Sequence, residues 1–435
     1  MKQQSPNSAA RREFDAVVLG SGLAGMCAAT AAAEAGARVA VLERSDFIGG
    51  SAAMSGGLVW TLETATHLAR EDRGQFQRHG RCVVNGYGDI HAFLSRFSAP
   101  VTQETRVLGG RGRKFDIPAL FCAMANAIQR AGGKVFTGAD TTEAFRSSDA
   151  LFTMKGTVPE GQFEVTGASV VFATGGRQAD PAVRKGLTDG SYTPILRGNH
   201  FSDGSGQRLA QALGAAVNYQ NQGFYGHLFA DGAVPVAPLD FIALALYHSG
   251  SGVMILRDGS YCPGGGSDHR NAIALAQHGG RAVLLWSEET QRKIPGQTSY
   301  GFDSFRNSAD RGGRVDSVPD SRELPALFRA WGYGNPAEAL DTDNVRGPLG
   351  AGRVFAADVR LAVTYTFGGV CANEDGAVLD EHGEIVPGVF VAGSDMADVY
   401  HQGYGGGLSA AAYFGLKTGQ AAAARCRHYP LSATS

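Results

Sequence analysis

The chain has 435 residues, of which 43% are hydrophobic, so it can bury a large core and form two or three domains. It has 39 Lys plus Arg and 41 Asp plus Glu, and this net charge of -2 gives no basis for binding nucleic acid or an anionic membrane. The polar N-terminal segment lacks an apolar h-region and no run of about 18 apolar residues follows, which predicts neither a signal peptide nor a membrane span. The six cysteines include no CxxC pair, which favours a reduced, cytoplasmic protein without a metal.

The segment from Phe14 to Glu43 has the pattern of a β-α-β unit. FDAVVL predicts a strand, the alanine-rich run after it predicts a helix that ends at Gly36, and RVAVLE predicts a second strand. The first strand and the helix are joined by GSGLAG, which begins at Gly20. A glycine turn between a strand and a helix, with an acidic residue at the end of the next strand, predicts a nucleotide-binding unit.

Each glycine of this turn has a physical role in such a unit. Gly20 permits the tight turn, Gly22 lets the backbone approach a pyrophosphate, and Gly25 lets the helix pack closely. The N-terminus of the helix offers unpaired N–H groups to the phosphates, and Glu43 can accept protons from both ribose hydroxyls. The chain contains 61 glycines, so the motif has weight only because the flanking strand, helix and carboxylate accompany it.

Alternating strands and helices with glycine-rich strand ends continue along the chain, which predicts an α/β architecture. Pro118 to Arg130 predicts a helix, the following KVF and TGASVVF predict strands, and the loop at Asp203 predicts the start of another helix. Between residues 223 and 344 the segments become short and irregular. We therefore predict a first domain over 1–222, an inserted domain over 223–344, and completion of the first domain over 345–435.

The closing part of the chain contains strand VFVAG and then GYGGGLS, which leads into an alanine-rich helix. The N-terminus of that helix carries a partial positive charge, which favours negative charge developing on a ligand. The pattern therefore predicts a second helix N-terminus directed at a glycine-rich turn.

Taken in order, these motifs resemble the FAD-dependent family that contains the fumarate reductase and succinate dehydrogenase flavoproteins, the 3-ketosteroid dehydrogenases and tricarballylate dehydrogenase. The resemblance implies an α/β fold, with a discontinuous, Rossmann-like FAD-binding domain and an inserted, mobile α+β capping domain. It also implies that the substrate is held between the cap and the flavin ring.

The resemblance implies a set of FAD-binding residues. The pyrophosphate is assigned to Gly20, Ser21, Gly22, Leu23, Ala24 and Gly25, the adenosine to Glu43 and Arg44, the flavin to Gly49, Gly50, Ser51, Ser55, Gly56 and Gly57, the ribitol to Gly393 with Ser394 or Asp395, the pyrimidine end to Gly407, Leu408 and Ser409, and further contacts to Ala173, Thr174, Gly175 and Asp203. Family members usually have an acidic residue directly after the glycine at 393, so the choice between Ser394 and Asp395 stays open here.

Two absences in the sequence refine this expectation. Members with covalent flavin carry a histidine in the second glycine segment, and none occurs between Phe47 and Trp60, so we expect non-covalent FAD. A second strand-GxGxxG-helix unit is also missing, because GAGRVF at 350–355 lacks the third glycine. The electron donor or acceptor is therefore expected to be a separate molecule.

The candidate catalytic residues are those that the resemblance places at the substrate: Tyr404, His401, Tyr365, His227, His269 and Arg270. The family's Arg-Phe-x-x-Glu is missing and its proton-donor arginine falls on His269, which argues against fumarate as substrate. Tyr404 before glycines resembles the ketone branch, in which a tyrosine hydrogen-bonds a substrate carbonyl. Tyr365 is equally consistent with a packed core aromatic, and His269 with Arg270 reads as a solvated pair in a polar loop.

These residues predict an FAD-dependent dehydrogenase or reductase that acts on a C–C bond beside a carbonyl in a small, cyclic or hydrophobic substrate. Polarising the carbonyl acidifies the adjacent C–H, a base removes that proton, and hydride leaves the neighbouring carbon. An amine or amino-acid oxidase and a non-catalytic flavin-binding protein are the alternatives. The direction of the reaction, the substrate and the oligomeric state stay open.

Overall fold

The computed structural model describes residues 12–71, 78–107, 109–188, 190–220, 223–235, 240–297 and 301–428. The chain forms two compact units. The dinucleotide unit comprises Met1–Arg177, Asn199–Gly223 and Tyr365–Ser435, and the inserted unit comprises Gln178–Gly198 and Phe224–Thr364. The predicted domain limits at 222/223 and 344/345 stay a prediction, and part of the predicted polar N-terminal segment, residues 1–11, lies outside the described residues.

The strands alternate with helices over much of the chain. In chain order the strands are β1 (Arg12–Glu13), β2 (Ala16–Leu19), β3 (Val39–Leu42), β4 (Leu58–Leu62), β5 (Thr105–Val107), β6 (Gly110–Lys114), β7 (Lys134–Phe136), β8 (Asp140–Arg146), β9 (Phe152–Val158), β10 (Gly161–Gly167), β11 (Ser169–Phe172), β12 (Ile195–Leu196), β13 (Val217–Asn218), β14 (Phe224–Ala230), β15 (Val253–Leu256), β16 (Tyr261–Cys262), β17 (Arg281–Ser287), β18 (Val315–Val318), β19 (Val354–Thr366), β20 (Gly369–Val370), β21 (Ala377–Leu379) and β22 (Ile385–Val391).

The helices include three that the sequence predicts, which begin at Leu23, Ile117 and Gly407. In chain order they are α1 (Leu23–Glu34), α2 (Gly50–Ala53), α3 (Ala65–Glu71), α4 (Arg78–Asn85), α5 (Tyr87–Ser95), α6 (Ile117–Arg130), α7 (Pro181–Gly186), α8 (Ser205–Ala212), α9 (Asp240–Ala243), α10 (Asp268–Ala276), α11 (Glu288–Gln297), α12 (Ser304–Asp310), α13 (Leu324–Ala330), α14 (Ala337–Leu340), α15 (Asp343–Leu349) and α16 (Gly407–His428). Among the described residues, none of these helices is both long and apolar enough to cross a bilayer.

The dinucleotide unit is built on a mainly parallel sheet in the order β21-β22-β11-β2-β3-β7, in which only β21 runs antiparallel to its neighbour. The strands β2, β3 and β11 are buried along their whole length, as expected for a parallel sheet covered on both faces. The predicted α/β class, with an interrupted nucleotide-binding domain, is confirmed.

Helices α1 and α16 pack directly on each other within the dinucleotide unit. Small residues make the close approach possible: a Cβ on Gly415 would overlap the carbonyl oxygen of Ala24, and a Cβ on Gly419 would overlap that of Ala28. Two segments far apart in the sequence therefore form one layer beside the sheet.

The inserted unit contains a mixed sheet in the order β12-β19-β17-β15-β16, and β14 and β18 also pair with β19. This sheet and its short helices fit the α+β prediction for the insert, and they include a strand that the sequence analysis did not identify. The apolar run RAVLLWS forms β17, which pairs antiparallel with β19 from Arg281 opposite Arg360 to Ser287 opposite Val354. Both strands are buried at most positions, so their sequences lack the alternation that marks a half-exposed strand.

Candidate functional site

The glycine turn after β2 has the geometry that the sequence predicts. Gly20 has a φ of 95°, and a Cβ there would overlap the carbonyl oxygen of Ala173. A Cβ on Gly25 would overlap the carbonyl oxygen of Gly20, so only glycine allows α1 to sit this close to the turn. A Cβ on Gly22 would meet no atom within 4 Å, so the protein leaves the space beside this residue open.

The N-terminus of α1 is suited to an anion. Its N-cap, Gly22, makes no side-chain capping hydrogen bond, and no acidic residue lies in the first turn. Unpaired N–H groups and the positive end of the helix dipole together favour a phosphate. The backbone of Gly50 faces that of Gly22, since a Cβ on Gly50 would lie 3.4 Å from the Cα of Gly22. This cradle, formed by the backbone of both glycines with the side-chain amide of Asn199 beside Gly50, fits the pyrophosphate of FAD.

Glu43 is fixed beside the turn. Its Oε2 accepts hydrogen bonds from the backbone N and the Oγ of Ser21, each at 2.7 Å, and its Oε1 accepts one from Ser45 N at 2.8 Å. A carboxylate has about four acceptor positions and three of them are used here, so Oε1 of Glu43 keeps capacity for a ribose hydroxyl. The carboxylate is therefore oriented before any ligand arrives.

Arg44 continues this edge of the site. Its Nε lies 3.0 Å from Asp140 Oδ1, its Nη1 lies 2.9 Å from Asp203 Oδ2, and its guanidinium lies 5.5 Å from the centre of the Phe201 ring. A cavity of about 600 Å³ opens beside it, lined in part by Arg44, Asp46, Phe47, Gly138, Asp140 and Phe201. The position next to Glu43 and the mixed lining fit the adenosine end of the cofactor.

The second glycine segment also requires glycine. Gly57 has a φ of 73°, and a Cβ there would overlap the carbonyl oxygen of Phe115. The hydroxyl of Ser55 accepts from Gly57 N at 3.2 Å and donates to Ala52 O at 2.7 Å, which fixes the turn. Gly49 N donates to the Oγ of Ser21 at 3.2 Å, so this segment is tied to the first glycine turn.

The structure distinguishes Ser394 from Asp395. Asp395 is fully buried, and its Oδ2 accepts hydrogen bonds from the N and Oγ1 of Thr174 and, at 3.1 Å, from Gly175 N. Burial raises the pKa of Asp395 to about 7. Ser394 is half-buried in the same short 3₁₀ turn, and a Cβ on Gly393 would lie 2.9 Å from the Cβ of Ala24 in α1. Asp395 therefore braces the end of β11, and Ser394 has the better access to a ligand.

The N-terminus of α16 is held against β4. A Cβ on Gly406 would overlap the carbonyl oxygen of Trp60, and the Oγ of Ser409 donates to that oxygen at 2.7 Å. Gly407 N donates to the phenol oxygen of Tyr404 at 2.6 Å. The amide of Gly407 therefore binds the phenol of Tyr404 directly.

Tyr404 belongs to an aromatic group within the dinucleotide unit. Its ring centre lies 5.9 Å from that of Trp60, 6.2 Å from that of Tyr365, 6.5 Å from that of Phe367 and 5.5 Å from that of Tyr400. Tyr365 lies on β19 and is 8% exposed, and burial raises the pKa of its phenol. These rings form an aromatic surface that carries three phenols, of which that of Tyr404 accepts from Gly407 N and that of Tyr400 donates to Gly406 O at 3.2 Å.

His401 lies three residues before Tyr404, and both its backbone and its side chain have contacts that hold the loop. Its carbonyl oxygen accepts from Gly223 N at 2.8 Å, and its Nε2 lies 3.9 Å from Asp398 Oδ1. Asp398 has a φ of 58°, which is uncommon for a residue other than glycine, and its Oδ1 accepts from Asn218 Nδ2 at 3.2 Å. The loop before α16 is therefore held in a specific conformation.

The other candidate residues lie in the inserted unit. His227 on β14 and Asp268 at the start of α10 are 1% and 3% exposed, and the Nδ1 of His227 lies 2.5 Å from Asp268 Oδ2. Burial, followed by the positive charge of Arg197, lowers the pKa of His227 to about 4. The Arg197 guanidinium donates to the hydroxyl of Tyr247 at 2.9 Å and to Thr364 Oγ1 at 2.9 Å.

His269 and Arg270 do not form the solvated loop pair that the sequence suggests. Both lie in the first turn of α10, for which the hydroxyl of Ser267 provides the cap by accepting from Arg270 N at 3.2 Å. His269 is buried and its ring centre lies 5.3 Å from that of Tyr225, whereas Arg270 is exposed. At the start of the helix, adjacent side chains point in different directions, so His269 is buried and Arg270 is exposed.

Sequence reasoning missed Asp268 and Arg197. Asp268 is 41 positions from His227, and no local spacing links a strand residue to the first residue of a later helix. Arg197 is also far in sequence from its hydrogen-bond partners Phe241 and Tyr247, at a separation of about one supersecondary unit. No local sequence pattern therefore links Arg197 to them.

Comparison with known proteins supports the same cofactor. The sequence profile of the family described as "FAD binding domain" matches residues 15–91 and 321–409. Fumarate reductase (cytochrome) from Shewanella frigidimarina is 24% identical over 458 aligned positions, which cover 97% of this chain and 79% of that protein. A shorter match, 49% identical over 61 residues, covers 14% of this chain and 10% of 4-oxocyclohexanecarboxylate 2-dehydrogenase from Sinomonas cyclohexanicum.

Solved structures share the fold. The 3-ketosteroid Δ1-dehydrogenase from Sterolibacterium denitrificans, crystallised with 1,4-androstadiene-3,17-dione, is similar with a TM-score of 0.75 at 14% sequence identity. The similarity covers 95% of this chain and 100% of that one.

Proposed function

Because the chain belongs to the flavoprotein family that shares this FAD binding domain, we propose that it is an FAD-dependent oxidoreductase acting on a CH–CH or C=C bond beside a carbonyl. The matched proteins include a fumarate reductase and dehydrogenases named for ring ketones. We propose a cyclic or hydrophobic ketone, or the corresponding enone, as the substrate class.

The dinucleotide unit supplies the groups that hold FAD. The N-terminus of α1 and the backbone at Gly22 and Gly50 would hold the pyrophosphate, Glu43 would hold the ribose, and Ser394 would hold the ribitol. When bound, FAD exchanges a hydride with a carbon of the substrate. The binding is non-covalent, since no histidine occurs from Phe47 to Trp60. Acid denaturation tests this: yellow flavin should stay in the supernatant, and flavin in the protein pellet would contradict it.

The hydrogen bond from Gly407 N to the phenol of Tyr404 is the observation that supports the proposed chemistry. The N–H of Gly407 binds the phenol oxygen, so one lone pair is directed at the positive end of α16 and the phenol proton is polarised toward an acceptor. A carbonyl oxygen that accepts this proton in a hydrogen bond becomes more electrophilic, which acidifies the neighbouring C–H. The phenol therefore acts as the electrophilic group for a ketone.

The surroundings of Tyr404 favour a cyclic, apolar substrate over a dicarboxylate. Trp60, Tyr365, Phe367 and Tyr400 surround the phenol, so the local surface is aromatic. Two carboxylates would require cationic partners.

The electron partner is proposed to be a separate molecule, because the sequence carries one nucleotide-binding motif. We propose a cytoplasmic location, supported by the six cysteines, all of which are free thiols.

The deciding experiment is anaerobic. The purified flavoprotein is photoreduced and mixed with cyclic enones or fumarate, and the oxidised protein is mixed with cyclic ketones or with amines, while flavin absorbance is followed. Reoxidation by a cyclic enone, or reduction by a cyclic ketone, is the expected result. Reoxidation by fumarate alone, peroxide release with amines alone, or no reaction with any compound would overturn the proposal.

A further inference from the structure

The carboxylate of Asp395 connects two segments of the dinucleotide unit that flank the first turn of α1. Its Oδ2 accepts hydrogen bonds from the N and the Oγ1 of Thr174, just after β11. The backbone there lies against the glycine turn, because a Cβ on Gly20 would be 3.0 Å from the Cα of Thr174. On the other flank, Asp395 ends the 3₁₀ turn that begins at Gly393, where a Cβ would be 2.9 Å from the Cβ of Ala24. Both segments therefore meet the start of α1, and one carboxylate holds them together.

Gln207 in α8 is a further polar neighbour of this carboxylate. Its Nε2 would lie 2.9 Å from a Cβ on Gly369, and the backbone oxygen of Asp395 would lie 2.1 Å from the same point. The hydroxyl of Tyr219 donates to Gln207 Oε1 at 2.9 Å, so the amide oxygen is occupied and its NH₂ group remains. The Nε2 of Gln207 and the Oδ1 of Asp395 are both buried without a hydrogen-bond partner among the described residues. They are a donor and an acceptor within one small buried cluster.

This set of neighbours fits an ionised carboxyl better than a neutral one. A carboxylate has about four acceptor positions, and the surrounding groups are donors: the N and Oγ1 of Thr174, the N of Gly175 at 3.1 Å, and the Gln207 amide. An N–H group cannot accept the proton of a neutral carboxyl. Protonation of Asp395 therefore leaves a buried O–H without an acceptor or breaks the hydrogen bond from the Thr174 hydroxyl.

Burial works against the charge. Asp395 is fully buried, and burial raises the pKa of its carboxyl from 3.8 to about 7, although the hydrogen bonds from its neighbours lower it. Around it lie the phenols of Tyr219 and Tyr365 and the guanidinium of Arg177, which is 3.5 Å from the centre of the Tyr219 ring, while α1 and α16 face the turn with alanines. Burial also raises the pKa of both phenols, so they stay neutral near pH 7. Asp395 is therefore the group in this cluster whose charge changes in that range.

We propose that Asp395 is a positioning residue for FAD and that only its ionised form holds the glycine turn in the conformation that binds the pyrophosphate. A proton on this carboxyl disturbs the hydrogen bonds to Thr174, whose backbone supports Gly20, and the affinity for FAD falls. The protein is then expected to release its cofactor as the pH falls below neutrality. The inference rests on the FAD binding that the proposed function also requires, and it needs no particular substrate.

The first experiment measures FAD release from the intact flavoprotein. The holoprotein is diluted in series at about pH 6, 7 and 8, and the flavin that dissociates is measured by its fluorescence. A carboxyl that titrates at about pH 7 and must be ionised for binding predicts a Kd about tenfold higher at pH 6 than at pH 8. A constant Kd would overturn the proposal, as would a lower Kd at pH 6, which repulsion between the carboxylate and the phosphates alone would give.

Asp395→Asn removes the titration. The amide carries no charge, and its NH₂ group faces the donors of Thr174 and Gln207. Its Kd should therefore be at least as high as that of the wild type at the lowest pH, and it should not change with pH. A Kd in this variant that still rises toward low pH would assign the dependence to another group and overturn the proposal.

Thr174→Val gives a second test if Asp395→Asn does not fold. Valine keeps the shape of the side chain and removes one donor to Oδ2. Loss of a hydrogen bond to the ionised form raises the pKa of a carboxyl, so the fall in affinity should begin at a higher pH than in the wild type. An unchanged midpoint of the pH profile would overturn the proposed coupling.

Two control variants separate this carboxyl from other groups. Asp380 also lies in the dinucleotide unit and accepts two backbone N–H groups, but in a turn at the surface. His200 lines the cavity beside Arg44. Asp380→Asn and His200→Gln should both keep the wild-type ratio of Kd values between the lowest and the highest pH, and loss of that ratio in either would overturn the assignment to Asp395.

The outcomes separate this inference from the proposed function. A purified protein that binds no FAD at any pH would contradict both. FAD that is bound with one affinity at all three pH values would contradict the role of Asp395 and leave the proposed redox reaction intact.

Discussion

The dinucleotide unit and the inserted unit are organised by different kinds of contact, main-chain contacts in the first and side-chain pairs in the second. The dinucleotide unit uses backbone, because glycines at 20, 25 and 57 allow main chains to meet where a Cβ would overlap an oxygen. The inserted unit uses paired side chains, such as His227 with Asp268 and Arg197 with Tyr247. The glycine turns are marked by a local sequence motif, whereas the side-chain pairs join residues that no local motif connects.

This difference predicts opposite responses to substitution. Replacing a glycine by alanine in the glycine turns of the dinucleotide unit should lower the stability of the fold and weaken FAD binding together. An isosteric change in the side-chain pairs of the inserted unit should alter the charge and leave the backbone in place.

The largest effect is expected from Gly25→Ala, with Gly22→Ala as its matched control. The Cβ at position 25 would overlap the carbonyl oxygen of Gly20, so we expect a loss of roughly 3 kcal/mol or more of stability, together with loss of FAD. The Cβ at position 22 meets no protein atom within 4 Å, so Gly22→Ala should fold as the wild type and bind FAD more weakly. Apoprotein denaturation and FAD titration measure both; equal folding stability of the two variants would contradict the argument.

Asp358→Asn tests the side-chain side of the contrast. Asp358 is fully buried and accepts hydrogen bonds from the Tyr333 hydroxyl at 2.6 Å and from Arg314 at 2.9 Å. Loss of its charge leaves arginines without their anion, so we expect a loss of about 3 kcal/mol, moderated by the partial exposure of Arg314. Urea denaturation followed by fluorescence of Trp286 and Trp331 measures it.

The control for that prediction is Asp341→Asn, which removes an exposed ion pair with Arg346 in the same unit. Surface pairs contribute little, so the midpoint should hardly move. If both variants shift the midpoint equally, the buried network has no special role in stability.

Tyr404→Phe removes one hydroxyl from the backbone-built site. FAD should stay bound, because the glycine turns are untouched, and turnover of a cyclic ketone or enone should fall on the order of 10²-fold. Tyr413→Phe, also on the dinucleotide unit but in the body of α16, is the control. Steady-state kinetics at saturating substrate measure both, and unchanged turnover in Tyr404→Phe would remove this residue from the mechanism.

The smallest effect concerns pH. Burial lowers the pKa of His248 from 6.5 to about 3, so the unfolded chain binds a proton at this residue between these pH values while the folded chain does not. Stability should therefore fall as the pH drops from 6.5 toward 3, with a contribution from His248 on the order of 2 kcal/mol at pH 5. His248→Phe keeps a ring against Trp286, whose centre lies 4.6 Å away, and should flatten the slope. An unchanged pH dependence of the denaturation midpoint would contradict this.

The same contrast explains how far the sequence could be read. The turn at Gly20 and helices α1, α6 and α16 were predictable because strand pattern, glycine and helix pattern are adjacent in the chain. The burial of His269 was not predictable, since it depends on Ser267 starting a helix that then packs on β14. The burial of Asp395 was not predictable either, since its carboxylate is bound by Thr174, a partner 221 positions away.

The pairing of α1 with α16 sets the order in which the protein can be completed during synthesis. Asp15 accepts a hydrogen bond from Cys426, 411 positions later, and Trp60 accepts one from Ser409, 349 positions later. A nascent chain on the ribosome therefore exposes the alanine-rich face of α1 until α16 has been synthesised. The unit cannot complete this helix layer before then, and the exposed face favours aggregation in that interval.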